Sequence, residues 1–204
     1  MIYITDFDYT LFDTTALVNH LASEFARFGV APDQFHTAVA EVKKELGYYD
    51  YKKHLEKLVF GKDYEDALEV VDSVLSRASE YLYPDALPFL QRTHKAGHSI
   101  YVLTFGEDDW QRKKIIGTQI DGFVQVHTTT GSKVDALRSI GQHGQAMVLV
   151  EDSGPNIDKI KAAYPEVTAV WVRRVEGKYR NEPCHLADHE VTDLSALPFA
   201  VPSV

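Results

Sequence analysis

Near the start of the chain, the stretch YITDFDYTLFDTT over residues 3–15 runs a short apolar segment straight into Asp6, Asp8 and Asp13. A second acidic pair, Glu151 and Asp152, directly follows the apolar run AMVLV. Acids at the end of buried segments are costly unless something compensates them. Two carboxylates about 4 Å apart repel by about 4 kcal/mol at an effective dielectric of about 20, so several gathered together call for a cation. An all-oxygen ligand set at a solvent-facing edge suits Mg²⁺, which keeps waters and shares a phosphate. Thr104 in YVLTFGE and Lys133 in GSKVDAL supply the opposite chemistry. A hydroxyl and an ammonium, with the backbone amides of Phe105 and Gly106, can hold an anion.

These residues work together only if the fold brings them to one place. Short β-rich runs occur at 2–5, 99–104, 123–126, 146–150 and 168–172. Helical patterns lie between the later ones. Residues 85–96 are bounded by Pro84 and Gly97, 107–116 end at Gly117, Ser132 is placed to cap a helix reaching Ile140, and 155–164 end before Pro165. Strands alternating with helices indicate an α/β fold with a doubly wound parallel sheet. AMVLV suits a strand covered on both faces. In such sheets ligands bind beyond the carboxyl ends of the strands, and Asp6, Asp8, Thr104, Glu151 and Asp152 all fall there, with Lys133 in the first turn of a helix.

Residues 14–83 break the alternation. Apolar residues recur at helical spacing through Leu17, Leu21 and Phe25, then Phe35, Val39 and Val42, then Leu55, Leu58 and Val59, then Leu68, Val71, Val74 and Leu75. The expected organisation is an α/β core of residues 1–13 and 84–204 carrying an inserted helical unit, 14–83. In the tail, HEVTDLSAL reads as a last short strand and a helical turn.

Composition bounds the function. The chain has 204 residues, 45% of them hydrophobic, enough for one sizeable core. A net charge of −9 argues against a nucleic-acid or acidic-membrane surface. The single cysteine, Cys184, excludes an internal disulfide and fits a reducing compartment. No basic segment leads into an apolar run at the N-terminus, and no apolar stretch is long enough to span a bilayer. A cytoplasmic protein is expected, acting on a small phosphorylated metabolite, with no nucleic-acid or membrane partner. No Walker loop or dinucleotide fingerprint is present.

The segment Asp6-Phe7-Asp8-Tyr9-Thr10 resembles the first motif of the haloacid dehalogenase (HAD) superfamily. YVLTFGE resembles its second motif through Thr104, Lys133 stands where the third motif's lysine would be, and VEDSGPNID is similar to its fourth. The four come in order, and the insertion matches the helical cap of the family's first cap class. The resemblance implies that Asp6 is a nucleophile forming an aspartyl-phosphate and that Asp8 is the acid and base, with its backbone carbonyl on Mg²⁺. Asp6 and Asp152 would be carboxylate ligands of the metal, and Glu151 a ligand or a neighbour of one. Thr104 and Lys133 would bind the phosphoryl oxygens. The family's dehalogenases lack an acid at the position of Asp8, because no leaving oxygen needs a proton there. The implied activity is a Mg²⁺-dependent phosphohydrolase of a small phosphomonoester. A phosphomutase keeps the same core residues. A receiver-like phosphoacceptor module would order its motifs differently, and a catalytically silent module is disfavoured by complete motifs.

Other residues carry two readings each. Asp13 is an N-cap for the inserted helices in preference to a hinge. One of Asn156 and Asp158 is expected to orient the Asp152 loop. The aromatic and basic stretch GYYDYKKH, residues 47–54, either contacts the leaving group, through Tyr48 and Lys52 with Tyr49 and Lys53, or is a solvated face. Cys184, His185, Asp188 and His189 have metal-ligand types but make a weak site. Arg173 and Arg174 are expected to end a strand at the surface.

Overall fold

The computed structural model describes residues 1–59, 61–140, 145–175 and 177–197. Six parallel strands form one sheet in the order β3-β2-β1-β4-β5-β6. They are β1 Ile2–Thr5, β2 Ser99–Phe105, β3 Gln125–Thr129, β4 Met147–Glu151, β5 Thr168–Val172 and β6 His189–Val191. The central pair β1 and β4 is buried at every residue, because helices cover both faces. Side-chain alternation splits β1 between two apolar clusters. Ile2 and Ile4 pack with Leu137, Leu149, Ile157 and Ile160 on one face. Tyr3 packs with Val102, Val148, Phe89 and Leu90 on the other.

After β1 the chain forms α1 Thr14–Phe25, α2 Pro32–Leu46, α3 Tyr51–Leu58 and α4 Lys62–Leu75. Asp13 caps α1, its carboxylate accepting the Ala16 N–H at 2.9 Å. Asp50 caps α3 in the same way through the N–H groups of Lys52 and Lys53. Gly47 ends α2 with φ +79, a left-handed conformation that suits glycine. Leu17, Phe25, Phe35 and Leu55 of these helices join the apolar cluster that also holds Tyr3 and Phe89, so burial runs unbroken from the sheet into the insertion.

The remaining helices are α5 Ala86–Lys95, α6 Asp108–Gly117, α7 Lys133–Ile140 and α8 Gly154–Ala163. Glu107 caps α6 through the Asp109 and Trp110 N–H groups. HEVTDLSAL does form a strand and a single helical turn, at His189–Val191 and Leu194–Ala196.

Two expectations need correction. The third strand begins at Gln125 and reaches Thr129, because its pairing with β2 runs from Tyr101↔Gln125 to Phe105↔Thr129. Phe123 lies outside it and packs on His94. Arg174 is not a surface residue. It is 6% exposed, forks onto both oxygens of Asp85 at 2.6 and 2.9 Å, and donates to the Thr10 carbonyl. The Tyr83 ring stacks against its guanidinium. No helix is long and apolar enough among the described residues to cross a membrane.

Candidate active site

The chain moves outward from β1 to β2 and β3, then returns to the other side of β1 as β4. The crevice between β1 and β4 is therefore the switch point of the sheet, where open α/β folds bind ligands. Register places the acids there. Thr5 pairs with Val150, and the Asp6 N–H donates to the Val150 carbonyl at 2.8 Å, so Asp6 and Glu151 leave adjacent strands side by side. Asp6, Glu151 and Asp152 offer carboxylate oxygens within 4.8 Å of one another, and all three are buried.

Lys133, in the first turn of α7, stands between two of them. Its Nζ lies 3.0 Å from Asp6 Oδ1 and 2.8 Å from Glu151 Oε2. Burial opposes its charge, but Asp6 and Glu151 outweigh burial and raise its pKa. One ammonium does not neutralise three acids. Burial first, then the Glu151 charge, pushes the pKa of Asp6 and of Asp152 up.

The two oxygens of Glu151 are engaged, by Lys133 on one side and by the Asn156 amide and Ser153 N–H on the other. Asp152 Oδ2 is buried with no donor. Thr104 Oγ1, at 0% exposure, is likewise without a partner. A buried acceptor and a buried hydroxyl, both unsatisfied beside a surplus of negative charge, fit a divalent cation and an oxyanion.

A cavity of about 720 Å³ opens over this crevice, lined by Asp6, Asp8, Thr104 and Lys133. Phe105, Gly106 and Tyr48 also line it. The Gly106 N–H, however, is donated to the Thr129 carbonyl at 2.9 Å, so this amide has a partner other than an anion. Gly106 adopts φ +153, and a Cβ there would meet the Gln111 side chain at 2.5 Å. Lys52 is not part of the cavity wall. It is exposed on α3 and pairs with Asp109 at 2.9 Å, where the Tyr51 hydroxyl also donates.

Asp8 is held by residues that carry no motif. Lys114 and Thr14 both donate to its Oδ1, and Gln111 Nε2 reaches its Oδ2 at 2.9 Å and the Phe105 carbonyl at 2.9 Å. Lys114 is 1% exposed, with the rings of Phe7, Phe12 and Trp110 around its ammonium. Burial favours a neutral Asp8, but the Lys114 charge and these hydrogen bonds outweigh it and lower its pKa. One sequence signal marks Gln111 and Lys114. On α6 they share the buried stripe of Trp110 and Ile115, where apolar residues belong.

Asn156 orients the fourth-motif loop through Glu151. Asp158 instead accepts the N–H groups of His185 and Leu186 and fixes the tail. Asp188 is taken by Lys161, so Cys184, His185, Asp188 and His189 do not converge on a metal.

The haloacid dehalogenase-like hydrolase family model matches residues 4–153. The chain belongs to that family. No curated protein matches its sequence. Among solved structures, a Burkholderia xenovorans protein assigned as a haloacid dehalogenase-like hydrolase is similar at 23% identity and TM-score 0.76, over 95% of both chains. A HAD phosphatase from Thermococcus onnurineus is 20% identical, with TM-score 0.63 over 95% of this chain and 94% of that one. L-2-haloacid dehalogenase from Xanthobacter autotrophicus is 15% identical, with TM-score 0.62 over 95% of both. The same fold thus serves different chemistries, and this HAD hydrolase's reaction must be argued from its own site.

Proposed function

We propose that this HAD hydrolase is a Mg²⁺-dependent phosphohydrolase of a small phosphomonoester, with residues 14–83 acting as a cap over residues 1–13 and 84–204. The observation that carries the reading is Asp8. A second carboxylate faces the cavity two residues after Asp6, held in one orientation by Thr14, Gln111 and Lys114. A dehalogenase has no leaving oxygen and no use for such a group.

In this reading an Asp6 oxygen attacks phosphorus and the ester P–O bond breaks; Asp8, which must be protonated for this step against the pull of Lys114, gives its proton to the leaving oxygen. Asp8 then takes a proton from water, which attacks the aspartyl-phosphate and releases inorganic phosphate. Thr104 Oγ1 and Lys133 Nζ hold the phosphoryl oxygens, and Glu151 and Asn156 keep Lys133 and the Asp152 loop in place. Asp6, Asp152 and the Asp8 backbone carbonyl would hold Mg²⁺, with Glu151 assigned to Lys133 because its oxygens are already engaged. The bound ion would supply positive charge to offset the acids and the phosphoryl group.

The test is a panel of phosphorylated metabolites assayed with Mg²⁺ and with EDTA. Phosphate release should require the metal and should vanish in Asp6→Asn, an almost isosteric change that also removes a repulsive charge. Wild-type turnover by Asp6→Asn, or full activity in EDTA, would overturn the assignment.

A further inference from the structure

Five lysines line the cavity: Lys43, Lys114, Lys133, Lys159 and Lys178. Two of them answer acids of the site, Lys133 with Asp6 and Glu151, and Lys114 with Asp8. Lys43, Lys159 and Lys178 have no carboxylate within 4.0 Å among the described residues. In a chain of net charge −9, acids are abundant, so leaving these ammonium groups unpaired in one cavity runs against composition.

Lys43 and Lys178 reach the cavity from distant parts of the chain. Lys43 lies on α2 in the insertion, and Lys178 lies between β5 and β6. Both line this one cavity, and after burial the Lys178 charge is the main influence lowering the pKa of Lys43. Each rests on an aromatic side chain of the cavity wall. Lys43 Nζ is 5.9 Å from the Tyr49 ring centre, and Lys178 Nζ donates to the Tyr179 hydroxyl at 2.9 Å. Lys43 lines the same cavity as Asp8, the acid assigned to the leaving oxygen, and the Asp8 charge acts on it. Lys43 and Lys178 therefore share the cavity with the group assigned to the leaving oxygen, and they come from chain segments other than those that carry Thr104 and Lys133.

We propose that Lys43 and Lys178 form a subsite for a second anionic group, so that the substrate is a phosphomonoester whose alcohol portion carries a carboxylate or a second phosphate. The proposal rests on the phosphohydrolase reading. Two like charges without a carboxylate partner among the described residues repel each other, and a second anion on the substrate relieves that repulsion. A neutral alcohol portion leaves both ammonium groups unanswered, so discrimination comes from repulsion left in place as well as from attraction gained.

The experiment compares kcat/KM within matched pairs: 2-phosphoglycolate against ethyl phosphate, and propane-1,3-diol bisphosphate against propyl phosphate. The expected result is a preference of roughly 10- to 100-fold for the doubly anionic member of at least one pair, and which pair shows it identifies carboxylate or phosphate as the second group. Lys43→Gln and Lys178→Gln should each pull that preference toward unity, and Lys43→Arg should retain most of it. Lys44→Gln, one residue along and outside the cavity, should leave it at the wild-type value. A wild-type preference near one in both pairs, or one unchanged in both glutamine variants, overturns the subsite even while hydrolysis itself stands. Calorimetric binding of phosphonoacetate and ethylphosphonate to the Mg²⁺-loaded protein reads the subsite without turnover. If no ester is hydrolysed but phosphonoacetate binds more tightly in a Lys43-dependent manner, the subsite stands and the phosphohydrolase reading falls.

Discussion

At the scale of single residues, the unusual feature is a buried lysine paired with Asp8, the proposed acid and base. Lys114 donates to Asp8 from a site walled by three aromatic rings. Removing one member of a buried ion pair costs more than removing both, because the survivor keeps its desolvation cost without a counterion. Lys114→Met is therefore expected to lower stability by about 3 kcal/mol, at the low end for buried pairs because the Asp8 side chain is 20% exposed. The double variant Asp8→Asn/Lys114→Met should recover much of that loss. Urea unfolding of the four proteins in the cycle decides it. A cost below about 1 kcal/mol for Lys114→Met would mean that Asp8 is oriented by Thr14 and Gln111 without it.

At the scale of elements, the same logic joins helices. His54 on α3 is 1% exposed, and its Nε2 meets the Phe35 carbonyl of α2 at 3.1 Å. A carbonyl only accepts, so Nε2 carries the proton and Nδ1 accepts from the Tyr49 hydroxyl at 2.9 Å. Burial pushes the His54 pKa down to about 4. A histidine with a depressed folded-state pKa contributes stability above its unfolded value, and that contribution is lost as pH falls from about 6.5 towards 4. Wild-type protein should lose about 2 kcal/mol more than His54→Gln between pH 7 and pH 4.5. Equal losses by denaturant unfolding would show that His54 titrates normally. Arg174 does similar work between elements of the core. It joins the end of β5 to Asp85 ahead of α5 and to the Thr10 carbonyl in the loop that carries Asp6 and Asp8.

Over the whole molecule, the proposed metal site would couple ion binding to folding. Asp6 and Asp152 have raised pKa values because burial and the neighbouring Glu151 charge crowd them. An ion that binds the folded state alone stabilises it, by about 2.7 kcal/mol at one hundred times its Kd. For a chain of this size that is a Tm increase of roughly 5–10 °C. Mg²⁺ should produce this shift in wild type, EDTA should reverse it, and Asp152→Asn should lose most of it in a thermal melt. An unshifted wild-type melt across a wide Mg²⁺ range would count against the metal assignment.

Much of this was legible in the residues alone. Strand and helix punctuation announced the α/β sheet, since Pro, Gly and capping residues act locally. Asp6, Asp8, Thr104, Lys133 and Asp152 stood out because their positions at strand and helix ends depend on the chain nearby. What needed the tertiary structure was every relation between distant segments. The placement of β4 beside β1, which puts Glu151 next to Asp6, is a choice of strand order that no local pattern encodes. Lys52 and Lys43 are both lysines on amphipathic helices of the insertion, and only packing decides that Lys52 pairs with Asp109 on the surface while Lys43 faces the cavity. Arg174 reads as a surface charge in the sequence, and no motif marks Lys114 or Lys178. Their roles follow from which remote side chains surround them, because burial and electrostatic partnership are properties of the folded chain and not of a residue's neighbours along it.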